Sequence, residues 1–239
     1  MTQDIQPDRL PGSSDPPDPL AQMEAALHAC RGREAALRDE LEHRVRNMLA
    51  ITRSVFSRTM DNAESVEEAR SHFNGRLDAL ARYHGRLAAM PGSKFDLETM
   101  VWDELTVCAA GNDPRIKVSG PIVRLASKVA EMVGLALHEL ATNSVKFGVL
   151  GEPASIGGLR IEWTVQNGRV RFEWAETGVP IVAAAPIGSG FGRDFIEQGL
   201  PYQLGATSHF TLVPGGLRCQ LEFAPDGSGG DGAKSPLSR

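Results

Sequence analysis

Three cysteines stand in 239 residues, Cys30, Cys108 and Cys219, far apart, odd in number and without metal-ligand spacing. That usage excludes a disulfide framework and reads as the reduced thiols of a cytoplasmic protein, with Cys30 and Cys219 as ordinary packing residues. Long apolar runs are also missing. No stretch approaches the roughly 20 residues that cross a bilayer, and the polar N-terminus lacks the apolar core of a signal peptide. Nor is there a basic excess, since 25 Lys and Arg face 30 Asp and Glu for a formal net charge of -5. A nucleic-acid partner is therefore not expected, nor a membrane one.

What is present is a strongly patterned chain between two polar ends. Residues 1–19 are rich in Pro, Gly, Ser and Asp and read as a disordered leader; the tail 226–239 reads the same way. Neither end has room for a sensory domain. Leu20, Met23, Leu27, Cys30, Leu37, Leu41, Val45, Met48, Leu49, Thr52 and Phe56 make a stripe at three- and four-residue steps, weakest at Gly32. The pattern stops near Asn62, and Ser65 with Glu68 forms a capping box for a second helix carrying Ala69, Phe73, Leu77, Leu80, His84 and Leu87. Pro91-Gly92 ends it. Residues 20–90 thus predict an antiparallel helical hairpin whose apolar surface exceeds what one partner helix covers, so two copies would complete a four-helix bundle.

Residues 91–225 predict a second domain, of α+β class. A helix is expected from Leu97 to Ala109, a strand over Arg115–Ser119, a central helix over Leu125–Phe147, and strands around Leu159–Val165 and Val170–Trp174 joined by the hairpin turn Asn167-Gly168. A short helix at Arg193–Gln198 and strands at His209–Val213 and Leu217–Phe223 complete an antiparallel sheet covered on one side by helices.

The organising stretch is Leu137–Gly148. Leu137, Leu140, Ala141, Ser144 and Val145 form one helical face, while Glu139, Asn143 and Lys146 stack on the other. A carboxylate, an amide and an ammonium in a row suit water, a divalent metal and phosphate. His43 lies roughly 200° around the first helix from Val45, facing solvent, where a neutral imidazole is a competent nucleophile toward phosphorus. Asn47 stands one turn on, able to hold the imidazole or an incoming phosphate. His28, His72 and His84 read as histidines of no consequence. Glu176 follows a strand with Gly178 two residues on, placing a carboxylate where it can meet an exocyclic amine of adenine. Gly188–Gly192 is a glycine-rich loop leading into a helix, whose N–H groups can cradle phosphate. It is neither a dinucleotide fingerprint nor a Walker A loop.

In this order the segments resemble a histidine kinase of the HWE family, from about Leu37 to Pro225. Glu42–Leu49 resembles the phosphoacceptor box, His138–Gly148 the N box, Trp174-Ala175-Glu176 the Trp-x-Glu of the family name, and Gly188–Gly192 the second glycine box. The resemblance implies a dimerisation and phosphotransfer hairpin joined to a Bergerat-type α/β-sandwich that binds ATP and Mg²⁺. His43 would accept the γ-phosphoryl group; Glu139 would orient or polarise at the reaction centre, and Asn143 would hold the metal. Lys146 would meet the phosphates, Phe147 would pack near the nucleotide, and Glu176 would read adenine. Gly188, Gly190 and Gly192 would form the ATP lid, Gly178 would belong to the first glycine box, and Phe191 and His138 would stand among the nucleotide-binding residues, the histidine in an unassigned role. The phosphoryl group would pass to an aspartate of a response-regulator receiver domain.

Four departures accompany the match. Arg44, not an acidic residue, follows His43; Val179 stands where a second glycine is usual in Gly178-Val179-Pro180; the lid after Glu176 is short; and no sensor accompanies the kinase. The missing sensor fits a kinase driven by a separate sensor protein, or a phosphotransferase of kinase ancestry that makes little use of ATP. A non-catalytic regulatory dimer is a third reading. The intact Glu139, Asn143, Lys146, Glu176 and glycines favour the kinase.

Overall fold

The computed structural model describes residues 19–89, 94–151, 156–179 and 190–228. The expected leader, the Pro91-Gly92 stop and most of the expected tail lie outside them. The chain forms two compact units that divide between Arg53 and Ser54. In the first, the described residues all belong to helix α1 (Pro19–Asn62), which opens on a proline whose fixed φ suits a first helical turn. It runs through Gly32 without a break. Along this part the apolar stripe is exposed in the single chain, Leu37 at 71% and Leu41 at 63%. No helix among the described residues is long and apolar enough to cross a membrane.

The second unit starts with the last turns of α1 and continues into α2 (Val66–Ala89). Its capping box is present: Glu68 N–H donates to Ser65 Oγ at 3.1 Å, and Glu68 Oε2 accepts from Glu64 N–H at 3.0 Å. Strand β1 (Phe95–Asp96) leads into α3 (Leu97–Val107), capped by Asp96, whose carboxylate accepts from Thr99 N–H. Then come β2 (Ile116–Ser119), β3 (Arg124–Leu125) and α4 (Ser127–Lys146). Strands β4 (Gly158–Gln166) and β5 (Arg169–Thr177) meet at Asn167 and Gly168, both with positive φ (52° and 74°), the geometry a two-residue hairpin of the primed type requires.

Where one helix was expected at Arg193–Gln198, the chain has α5 (Phe191–Asp194), a π-helical turn (Phe195–Gly199) and α6 (Leu200–Leu204). Gly205 stops it in the left-handed conformation. Strands β6 (Thr207–Val213) and β7 (Gly216–Phe223) finish the domain.

The sheet order is β2-β4-β5-β7-β6, with β1 and β3 paired apart from it. It is mixed, not wholly antiparallel as expected, because β2 runs parallel to β4. The intervening α4 carries the chain back before β4 begins, the crossover that parallel neighbours need. Alternation then sorts the sheet's faces. Leu159, Ile161, Val170, Phe172, Trp174, Cys219 and Leu221 are buried, while Arg160, Arg171, Arg218 and Gln220 stay exposed on the other face.

Helix α4 is buried on nearly every side from Val129 to Ala141, so both its faces have cover. One cover is α2, seated by small residues. A Cβ on Gly134 of α4 would stand 2.1 Å from Cε2 of Tyr83, and one on Gly75 of α2 would stand 3.1 Å from Nε2 of His138. The Tyr83 ring therefore fills the place of the missing side chain on α4. Leu77, expected in the buried stripe of α2, is 39% exposed because that stripe turns toward α4 through Ala69, Arg76, Ala79, Leu80 and Tyr83.

Gly134→Ala sets two effects against each other. Helix propensity favours alanine by about 1 kcal/mol, and overpacking against a ring that is 1% exposed costs about 1–3 kcal/mol. The expected result is a net loss of stability, seen as a lower urea midpoint at unchanged slope.

Candidate functional site

The far end of α4 and the end of β5 meet at Gly148. A Cβ on that glycine would lie 2.1 Å from Oε2 of Glu176 and 2.8 Å from Cα of Ser144. Glu176 is only 2% exposed. Its Oε1 accepts from Trp174 Nε1 at 3.0 Å, and its Oε2 accepts from Val149 N–H at 3.0 Å. Strand alternation puts Trp174 and Glu176 on one face two residues apart, which is what lets the indole hold the carboxylate. One bond per oxygen leaves each a lone pair for a further donor. Ser144 Oγ, beside the same glycine, is buried with no partner. An orphaned hydroxyl and an unsaturated carboxylate suit a ligand with both donor and acceptor edges, as an adenine has.

Up the helix, Glu139 is buried, Asn143 half-buried and Lys146 exposed, with Phe147 capping the end at 70% exposure. Gly192, in the described end of the glycine-rich segment, lies against this row. A Cβ on Gly192 would stand 2.7 Å from Oε2 of Glu139 and 3.4 Å from Nδ2 of Asn143, so only glycine brings the backbone this close. Gly190 precedes α5 as its N-cap, while Gly188 lies outside the described residues. Gly178 has φ 74°. Among the described non-glycine residues only Ala109 and Asn167 have positive φ, so Val179 sits in ordinary backbone and donates its N–H to Gly215 O at 2.9 Å. Valine replaces glycine there without strain.

Three polar contacts from α2 and its neighbours join this face. Arg76 grips Glu139 with Nε at 2.7 Å from Oε1 and Nη2 at 3.0 Å from Oε2. Lys146 Nζ donates to His72 Nε2 at 2.8 Å. Burial, then the positive charges of Lys146 and Arg76, hold the His72 pKa below its ordinary value, so the ring is neutral and can accept.

The third contact centres on Glu104 of α3, 1% exposed, which accepts from Arg82 Nη2 at 2.5 Å, Tyr83 Oη at 2.9 Å and His138 Nδ1 at 3.2 Å. Burial alone would raise its pKa. The hydrogen bonds from His138 and Arg82 outweigh it and hold the carboxyl below the usual range. Burial, with Glu104 beside it, pushes the Tyr83 hydroxyl strongly upward, so it stays a donor.

The structure thus brings Glu139, Asn143, Lys146, Gly190, Phe191 and Gly192 together, with Glu176 beside Ser144 and Gly148 at the same C-terminal end of α4 and Gly178 two residues beyond Glu176 in the chain. His138 points to Glu104 instead. His43 and Asn47 stand exposed on α1 in the first unit. Sequence reasoning missed Arg76, Glu104 and Tyr83, and dismissed His72. A signal existed for two of them: Arg76 falls at the spacing of Phe73 and Leu80, and Glu104 at that of Leu97 and Val101. Each is a charge inside an apolar stripe. Among the described residues no cluster of three or more His, Cys, Asp or Glu could hold a metal.

Residues 40–122 match the family model of the HWE histidine kinases. That stretch carries the sequence of an HWE histidine-kinase domain. The blue-light-activated histidine kinase of Brucella anthropi is 30% identical over 198 residues, covering 81% of this chain and 38% of that protein. Its counterpart in Brucella ovis is 29% identical over the same length. The chain therefore spans well under half of these relatives. The solved Erythrobacter litoralis blue-light activated histidine kinase shares the fold, with a TM-score of 0.51 at 19% identity, covering 78% of this chain and 61% of that one. The fold of the HWE domain is thus a long helical hairpin followed by the mixed α/β sheet of a Bergerat-type ATP-binding domain. Within it, Trp174 is bonded to Glu176 and His138 to Glu104.

Glu104→Gln should destabilise the protein, by less than the about 3–5 kcal/mol of a fully buried pair because Arg82 is 28% exposed. A carboxyl depressed on folding adds stability above its unfolded pKa of about 4.3 and loses it as pH falls through the lower folded value. Acid titration of stability should accordingly be shallower below about pH 4.3 in the variant than in the parent.

Proposed function

We propose that this chain is an ATP-dependent protein-histidine kinase, with 20–90 as its phosphotransfer hairpin and 91–225 as its ATP-binding part. The observation that carries the reading is the row Glu139, Asn143 and Lys146 with the backbone of Gly192 laid against it. Acceptors, an ammonium and a glycine backbone along one face of the C-terminal half of α4, and the Glu176 carboxylate beside Gly148 just past that same end, suit the two ends of one nucleotide.

Each residue then has a task. Glu176 accepts from the exocyclic amine of adenine, and Phe147 packs its exposed ring on the base. Lys146 keeps two N–H groups beyond the one given to neutral His72, and these meet phosphate oxygens. The backbone of Gly190 and Gly192, with Gly188 assigned the same role, meets the phosphates, Phe191 anchors that backbone through a ring buried on Arg76 and Phe195, and Gly178 turns the chain after β5 with its positive φ. Mg²⁺, when bound, neutralises charge across the phosphates. Asn143 is the amide that would hold it, and one protein oxygen suffices because a nucleotide-bound Mg²⁺ keeps phosphate and water ligands. His138, bonded to Glu104, serves the helix junction rather than the nucleotide.

At the acceptor, a ring nitrogen of His43 forms the new P–N bond as the bond to the leaving diphosphate breaks, and Asn47 steadies the imidazole. Glu139 orients groups at the reaction centre. Catalysis rests on alignment and charge neutralisation. The phosphoryl group then passes to an aspartate of a response regulator. A second copy of the chain covers the exposed stripe of α1 as a four-helix bundle.

The deciding assay is incubation with Mg²⁺ and γ-labelled ATP. Acid-labile, base-stable label is expected on the parent and on neither His43→Ala nor Asn143→Ala. An unlabelled parent that accepts phosphate on His43 from a phosphorylated response regulator would make it a phosphotransferase. Glu176→Gln should weaken a fluorescent ATP analogue by roughly 10- to 100-fold, the loss of one buried charged hydrogen bond.

A further inference from the structure

We propose that Arg76 is a positioning residue for this site, setting where the Glu139 carboxylate and the start of α5 stand. The inference rests on the reading of Glu139 and the glycine-rich segment as parts of the ATP-using site.

Arg76 sits inside the apolar stripe of α2, its side chain 7% exposed, and three parts of its guanidinium are committed at once. The Nε–Nη2 edge takes both oxygens of Glu139. Nη1 donates to Thr59 Oγ1 at 2.7 Å, and that hydroxyl donates onward to Val55 O at 2.5 Å, so it can only accept from the arginine. The flat face lies 4.0 Å from the centroid of the Phe191 ring. Phe191 in turn stacks on Phe195, centroids 5.7 Å apart and planes 9° from parallel. Fork, third donor and stacking face are used together, and only a guanidinium supplies all three.

The geometry therefore runs from the end of α1, through Arg76, to α4 and to α5. Glu139 keeps a second lone pair on each oxygen, so the grip fixes its direction without using up its capacity to accept. Phe191 is held by the same group, and Gly192 beside it reaches the Glu139 and Asn143 side chains. A displaced guanidinium would release both sides of the row together. Lysine would keep the charge but lose the fork and the stacking face.

The test uses the full chain as Arg76→Lys and Arg76→Met, each first shown to be folded by thermal melting. At saturating ATP, Arg76→Met should lower the autophosphorylation rate by roughly tenfold or more with KM for ATP changed less than about threefold, since small misplacements act on turnover. Arg76→Lys should recover only part of that rate. In a Glu139→Gln background, adding Arg76→Met should change the rate by less than about twofold, because residues that act through one another are not additive. Without nucleotide, amide hydrogen exchange over Phe191–Asp194 should quicken by about tenfold or more in Arg76→Met as its seat is lost.

A faster Arg76→Met enzyme would overturn the proposal and make the contact a restraint. So would an equal loss in the Glu139→Gln background, or unchanged exchange at Phe191–Asp194. An Arg76→Lys enzyme with full activity overturns it even if Arg76→Met does not fold. A parent that takes no label from ATP overturns the kinase reading and this one with it; a labelled parent with unaffected Arg76 variants overturns this one alone.

Discussion

A carboxylate as deeply buried as that of Glu104 keeps its charge only if donors replace the water it has lost, and here the donors come from two other helices. Arg82 and Tyr83 reach it from α2, and His138 reaches it from α4. No two of these helices can slide without leaving a charge or a hydroxyl unsatisfied in a dry place. Apolar contact between α2 and α4 would tolerate small shifts; the Glu104 junction does not. It gives the second unit a defined register, and the other polar contacts along α2 follow from it. Eleven residues separate His72 from Tyr83, three helical turns, so once Tyr83 is seated over Gly134 the Arg76 and His72 side chains arrive opposite Glu139 and Lys146.

Helix α4 consequently has two jobs that pull its composition in opposite directions. As the centre of the domain it is nearly apolar on every side from Val129 to Ala141. As the floor of the site it carries Glu139, Asn143 and Lys146 at its C-terminal half, where cover thins. Burial falls along the helix in the same order, from Glu139 through Asn143 to Lys146. The most buried of the three is the one given a bidentate partner, and the most exposed needs only a neutral imidazole. This is the arrangement desolvation demands: an uncompensated ion is tolerable only where water can reach it.

Local signals in the sequence located most elements. Periodicity and capping residues placed α1, α2, α3 and α4 within a few residues, and Asn167-Gly168 marked its hairpin because no other pair takes two positive φ angles so readily. The parallel pairing of β2 was not legible, since alternation reports which side of a strand is buried and says nothing of its direction. Two-residue β1 and β3 carry no pattern at all. At the site, the row on α4 was legible because all of it lies on one helix. Arg76, Glu104 and Tyr83 were not assigned, because their partners are 63, 34 and 21 residues away in the chain, as in Arg76 with Glu139, Glu104 with His138, and Tyr83 with Glu104. A polar side chain in a helical stripe looks solvated until the partner that buries it is known. His72 was set aside for the same reason.

The thiols bear on how this molecule can be handled at the bench. Cys219 lies in the sheet core, and burial pushes its pKa up to about 12, leaving almost no thiolate near neutrality. Cys108 is half-buried beside Thr142 and is also shifted upward, burial again being the larger cause. Cys30 is exposed on α1, thirteen residues before His43. Alkylating dyes and spin labels should thus partition to one natural position on α1 while the ATP-binding fold stays unmodified. The native sequence comes with its own attachment point for a spectroscopic reporter, and no cysteine has to be engineered in or out to use it.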